Sequence, residues 1–351
     1  MSDRHHRLGR PLRIALVMMS VVVLVVALAW WQDRSLVEAE ALLQSGDPSG
    51  AWETLDAFLT RRPDHQRALL LQARTLVALQ KWEEATQLFS RTGAETSDEL
   101  RAFATALLHQ QRWQEALPML EQLAANDGKD AETVRGLTIC RYQLGRVDGA
   151  LASATELASL PGHALDGLFQ RGVIYRSLGN VNLAIKHWEE IEELAPDATG
   201  LAIQPAEFFR VFAEDLMREA RPRQALVYLQ RSLDLQPNAE IRAQLGEAWY
   251  RVGKESEATR IWADVVKEDE NNLAARLGLA ELALSRKEPD AALLWLAPIA
   301  TDRQATEAAA YMMQRAHTLL GHDELAEHWQ QKVAILRKSG KLQAAFEGRS
   351  N

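Results

Sequence analysis

The chain has a single cysteine, Cys140, in 351 residues, which excludes an internal disulfide framework and any cysteine-built zinc site or iron–sulfur cluster. That thiol lies two residues past a small, tightly packed position and is expected to be buried and inert. A phosphate-binding glycine loop is missing too: Gly253-Lys254 lacks both the earlier glycine and the following hydroxyl, so a nucleotide enzyme is not expected. Nor is there a basic excess. The net charge is −8, and because residues 1–34 carry five arginines against two aspartates, the rest of the chain stands at −11. An acidic body argues against nucleic acid as a partner.

Long hydrophobic runs are absent with one exception. From Ile14 to Trp31, IALVMMSVVVLVVALAWW covers 18 residues without a charge, about the length that crosses a bilayer as a helix. Arg4, Arg7, Arg10 and Arg13 precede it and only Arg34 closely follows, so the positive-inside rule keeps residues 1–13 in the cytoplasm and places the remainder outside it. Residues 14–31 are therefore expected to be a transmembrane signal anchor, with Trp30 and Trp31 at the interface. Ala27-Leu28-Ala29 resembles a cleavage site, which leaves open a periplasmic or secreted product after signal removal.

What the chain has in abundance is one repeated unit. Ala51, Ala85, Ala116, Ala150, Ala184, Ala225, Ala258, Ala292 and Ala326 are separated by 34, 31, 34, 34, 41, 33, 34 and 34 residues. Twelve residues before them stand Ala39, Ala73, Ala104, Thr138, Gly172, Ala213, Gly246, Ala280 and Gln314, small in all but the last unit. Small residues at both points let two antiparallel helices cross closely. Four residues after the alanines come Leu55, Phe89, Leu120, Ala154, Trp188, Leu229, Trp262, Leu296 and Gln330, which open an apolar stripe that only a neighbouring unit can cover. Gly46, Gly145, Gly179, Gly253 and Gly321 mark the turn inside a unit, and Pro48, Pro222 and Pro289 mark the first turn of its second helix.

This period, with Leu245-Gly246, Trp249, Ala258 and Trp262 in one unit and Tyr175, Ala184, Trp188 and Pro196 in another, resembles the tetratricopeptide repeat family over about residues 35–338. The resemblance implies an all-α fold, a right-handed superhelical solenoid of about nine helix-turn-helix repeats preceded by one transmembrane helix. Repeats 1–5 would fill residues 35–196 and repeats 6–9 residues 206–338. The interval of 41 puts extra residues in a loop at 197–205, a candidate hinge or division between sub-arrays. Gln314, His317 and Gln330 predict a polar capping pair at the end, Pro298 predicts a kink in the eighth unit, and residues 339–351 are expected to form a flexible tail.

In this family the first helices line a concave groove, and the residue 15 before each alanine commonly faces it. Here that gives Leu36, Leu70, Arg101, Arg135, Phe169, Arg210, Ala243, Leu277 and Tyr311. Arg101, Arg135 and Arg210 with Phe169 are the candidate partner-binding residues, since a guanidinium grips a carboxylate with a planar fork. The alternative is that the arginines pair with Asp98, Glu132, Asp166 and Glu207, which open the same helices. His317, His322, Asp323, Glu324 and His328 lie within 12 residues, but the turn at Gly321 separates the first from the others, so a solvated cap is expected there instead of a metal site. No cofactor and no catalytic residue is expected. The expected function is a non-catalytic, membrane-anchored, extracytoplasmic scaffold for a protein or peptide. Alternatives are an envelope-assembly or cytochrome-biogenesis adaptor that presents a client, and an accessory subunit of an enzyme complex.

Overall fold

The computed structural model describes residues 34–126, 130–301 and 305–347, with side chains to residue 339. The basic segment 1–13 and the anchor expected at 14–31 lie outside the described residues. Among the described residues no helix is long and apolar enough to cross a membrane. Those residues are helical or turn throughout. The helices are α1 (34–44), α2 (Pro48–Leu59), α3 (Gln66–Ala78), α4 (Trp82–Thr92), α5 (Ser97–His109), α6 (Trp113–Asn126), α7 (Ala131–Gln143), α8 (Val147–Ser159) and α9 (Ala164–Ser177). They continue as α10 (Val181–Leu194), α11 (Pro205–Arg218), α12 (Pro222–Leu235), α13 (Ala239–Arg251), α14 (Glu255–Glu268), α15 (Leu273–Ser285), α16 (Pro289–Leu296), α17 (Glu307–Leu320) and α18 (Asp323–Glu347). The chain divides at Leu144 and Gly145 into two compact units, the first closing with α7 and the second opening with α8.

One turn is repeated nine times. The residue five before each ladder alanine has a left-handed backbone: Gly46, Gln80, Gln111, Gly145, Gly179, Ala220, Gly253, Lys287 and Gly321, with φ between 54° and 85°. The next amide then reaches back to a carbonyl five residues earlier, as in Asp47 N to Leu42 O (2.9 Å), Lys81 N to Leu76 O (2.9 Å) and Arg221 N to Leu216 O (2.8 Å). This closes the first helix with its last carbonyls satisfied and starts the second at once. Second helices α4, α8, α10, α12, α14 and α16 accordingly begin without a side-chain cap. First helices follow longer connections, and side chains cap several of them: His65 on α3, Thr96 with Glu99 in a capping box on α5, Asp130 on α7, Asn238 on α13, Asn272 on α15 and Thr306 on α17, whereas α9 and α11 have no side-chain cap.

The ladder is the packing seam. Eight of its alanines, Ala51 to Ala292, are fully buried, while Ala326 in the last pair is half-buried. Side-chain size across the seam is complementary. Where the residue four after the alanine is Leu or Phe, the residue twelve before is Ala, as in Ala73 and Phe89 or Ala213 and Leu229. Where it is tryptophan, the partner is glycine. A Cβ on Gly172 would come within 2.5 Å of Trp188, and one on Gly246 within 2.5 Å of Trp262. Trp262 also presses on Gly278, where a Cβ would stand 2.4 Å from its ring. Each such buried aromatic contributes roughly 1.5–3 kcal/mol.

Three segments singled out in the sequence are placed as follows. Pro298 does not kink α16 but ends it: the helix stops at Leu296, and the amides of Ile299 and Ala300 both turn to Leu296 O at 2.9 Å. Proline has no amide to continue the ladder, and its ring crowds the preceding turn. Beyond Ser339, where a flexible tail is expected, α18 runs on to Glu347, in keeping with the strong helix formers Lys341, Leu342, Gln343, Ala344 and Ala345. The loop at 197–205 lies inside the second unit, with Ala198 buried and Leu201 and Ile203 packed on a core that contains Phe208 and Phe212.

Candidate functional site

The four candidate residues fall two to a unit, all on first helices. In the first unit Arg101 stands on α5 and Arg135, half-buried, on α7. Arg101 Nη1 donates to Asp130 Oδ2 at 2.9 Å and to Thr133 Oγ1 at 3.3 Å, so its charge is spent on the residue that caps the next first helix and not on Asp98. Asp98 accepts from Arg74 instead (3.0 Å). Burial works to raise the Asp130 carboxyl, but the amide and hydroxyl of Thr133 and the Arg101 guanidinium bring it down to about 2. A cleft of about 390 Å³ is lined by Glu40, Arg67, Arg74 and Asp98, tied together by ion pairs of 3.0 to 3.6 Å.

In the second unit Phe169 on α9 is half-buried against Trp188, with ring centroids 5.5 Å apart. Arg210 on α11 pairs with Glu207, as the alternative reading of the sequence has it: Nε donates to Glu207 Oε2 at 2.8 Å, while Nη1 donates to Glu214. The hydrogen bonds that Arg210 donates to Glu207 hold its guanidinium above its ordinary value, and Arg210 in turn holds Glu207 below the usual carboxylate range.

Three residues that the sequence reading missed complete this corner. Arg176 on α9 donates Nε to Asp215 at 2.8 Å and Nη2 to Glu214 at 2.6 Å, and the Trp188 indole donates to the other Asp215 oxygen at 2.9 Å. Asp215 is fully buried, and a charge there is tolerable only because both oxygens are bonded. Glu214 had a signal in the sequence. Glu214, Glu247 and Glu281 all stand eleven before their ladder alanines, and each meets an arginine: Arg176 and Arg210 for the first, Arg251 (2.7 Å) for the second and Arg315 (3.1 Å) for the third. A cavity of about 190 Å³ lies between Glu214, Met217, Arg218, Leu229, Gln244, Glu247 and Arg251.

Elsewhere, the turn at Gly321 brings His317 and His322 together where the sequence pattern separates them. Their Nδ1 atoms are 3.3 Å apart, because the His322 amide folds back onto His317 O. Burial, and then the charge of His322, hold His317 below its ordinary value. Among the described residues no group of three or more His, Cys, Asp or Glu is placed to hold a metal ion. The buried Cys140 thiol is pushed up to about 12, which makes it a poor nucleophile.

Comparison with known proteins agrees with the repeat. The tetratricopeptide repeat family model matches residues 42–107 and 107–159, so these stretches are repeats of that family. No curated protein matches the chain. Among solved structures the chain is similar to the hetero-tetramer Cut9-Hcn1 of APC/C, at 18% identity over 81% of this chain and 55% of that one with a TM-score of 0.48. It is similar to YrrB, a TPR protein with an unusual peptide-binding site, at 23% identity over 46% and 85% with a TM-score of 0.41. MamA 41-end from Desulfovibrio magneticus RS-1 is 17% identical over 50% and 97%, with a TM-score of 0.43.

Proposed function

We propose that this protein is a non-catalytic scaffold whose first helices present a surface to a protein or peptide partner, with residues 14–31 holding it to a membrane and the repeats outside the cytoplasm. The observation that carries the binding reading is the pattern of the ion pairs. The seam of small and apolar residues is consumed by packing, whereas Glu214, Glu247 and Glu281 recur at the repeat period on α11, α13 and α15 and stand partly exposed with the arginines they hold, a surface suited to polar contact along successive helices. The anchor reading rests on the charge-free run and the arginines that precede it.

Crosslinking the full-length protein in its own membrane, followed by identification of what is attached, tests the scaffold reading. Arg101→Ala with Arg135→Ala and, separately, Arg210→Ala are expected to lower the yield of the attached partner. Unchanged yield in both variants removes these residues from the contact surface. A reporter fused after Asn351 is expected to be active only outside the cytoplasm, and cytoplasmic activity overturns the topology.

A further inference from the structure

Two partly exposed guanidiniums of the second unit, Arg176 and Arg210, hold one carboxylate between them. Glu214 accepts from Arg176 Nη2 of α9 at 2.6 Å, from Arg210 Nη1 one helical turn away, and from Gln244 Nε2 of α13 at 3.3 Å. Both arginines have a second, independent hold. Arg176 is fixed through Nε by the buried Asp215, and Arg210 through Nε by Glu207. Removing Glu214 from between them would therefore leave two positioned guanidiniums with donors facing the same point.

The three side chains are also accessible. Glu214 is 25% exposed, Arg176 26% and Arg210 27%, in contrast to Asp215 at 0%. The neighbouring carboxylates thus divide in role. Asp215 is locked in the core by Arg176 and Trp188, while Glu214 lies at the surface on the rim of the 190 Å³ cavity. Gln244, in the wall of that cavity, donates through Nε2 to Glu214, while its own Oε1 is closed off from solvent without a hydrogen bond.

We propose that Glu214 is an internal stand-in for a glutamate or aspartate of an acidic peptide: it occupies Arg176 and Arg210 in the free protein and gives way when a partner's carboxylate takes its place. This rests on the scaffold reading above and adds to it the chemistry of the partner and a threshold for binding. Exchange of one carboxylate for another conserves the ion pairs, whereas a neutral or basic segment would have to leave them unmade, so Glu214 acts against the wrong partners. Because the ligand's affinity is reduced by the population of the occupied state, taking the internal carboxylate away tightens binding of an acidic ligand.

Fluorescein-labelled hexaglutamate, read by anisotropy at low salt with the purified full-length chain, tests this, and hexalysine is the second probe. Glu214→Gln keeps the shape and removes the charge, and is expected to tighten hexaglutamate about tenfold while hexalysine does not gain. Arg210→Ala in the Glu214→Gln background is expected to erase the gain. Glu255→Gln, whose carboxylate pairs with Arg286 at 2.8 Å away from this corner, changes the net charge equally and is expected to leave the affinity within about threefold of the unaltered protein. Glu207→Gln, which loosens the other hold on Arg210, is a second route should Glu214→Gln fail to fold, and is expected to move hexaglutamate affinity in the same direction. No gain in either glutamine variant, an equal gain in Glu255→Gln, a gain that survives Arg210→Ala, or a preference for hexalysine overturns the proposal. The two readings fail separately. A partner captured in the membrane with hexaglutamate binding unmoved by Glu214→Gln sinks the stand-in alone, and a hexaglutamate gain with no captured partner sinks the scaffold alone.

Discussion

Replacing Gln80, Gln111, Ala220 and Lys287 by glycine is expected to stabilise the protein, although no contact is added. These four exposed residues occupy the left-handed position that glycine fills in the other five turns, at φ of 59°, 59°, 54° and 59°. A residue with a Cβ pays roughly 1–2 kcal/mol for that backbone. Glycine's greater freedom in the unfolded chain takes back roughly 0.5–1 kcal/mol. The net gain is roughly 0.5–1 kcal/mol a site, and since the sites are a repeat or more apart in sequence, the fourfold variant gains roughly 2–4 kcal/mol. The reciprocal change isolates the backbone. A Cβ added at Gly46, Gly179 or Gly253 meets nothing within 4 Å, so Gly253→Ala has no clash to explain its loss of roughly 0.5–1 kcal/mol. Urea titration followed by far-ultraviolet circular dichroism measures both series. A fourfold variant no more stable than the parent, or a Gly253→Ala variant as stable as the parent, would refute the reasoning.

Gly246→Ala drives a Cβ into Trp262 and is expected to cost about 1–3 kcal/mol; Trp262→Leu in the same chain is expected to recover part of it in urea titration, because Ala with Leu is the pairing that other repeats use. Asp215→Ala leaves Arg176 and the Trp188 indole facing an apolar methyl and is expected to cost about 3–5 kcal/mol, with Asp215→Asn costing less; equal stability of Asp215→Ala would deny the buried pair its role. Asp130, with a folded pKa of about 2 against about 3.9 unfolded, contributes stability that is complete above pH ~4 and fades as pH falls toward 2. Melting of Asp130→Asn is expected to be less acid-sensitive than that of the parent across this window, and parallel curves would count against the shift.

The architecture was legible because it is written in a period. The ladder alanines, the small residues twelve before them and the turn glycines report local helix crossing and backbone geometry, which depend on residue size and not on distant partners. The turns without glycine were not marked by residue type: Gln80, Gln111, Ala220 and Lys287 take the same left-handed conformation because the repeat geometry places them there. The end of α16 at Leu296 was read only halfway, since proline announces a break without saying whether the chain bends or stops.

The candidate surface was less legible. Counting back along the ladder placed Arg101, Arg135, Phe169 and Arg210 on first helices, but not what each arginine holds. Arg101 could reach Asp98 on its own helix or Asp130 on the next, and the choice of Asp130 depends on how two helices lie side by side. Asp215 and Arg176 are 39 residues apart on either side of the loop at 197–205, and only folding shows that Arg176 and the Trp188 indole meet on the buried Asp215. The same holds for His317 and His322, which the turn brings within hydrogen-bonding distance. By itself the sequence determined the repeat, the helix pairs and their turns, because these follow from spacing and side-chain volume within one unit. Only the tertiary structure decided which charges meet, because an ion pair between helices is set by angstrom-scale placement that no periodicity encodes.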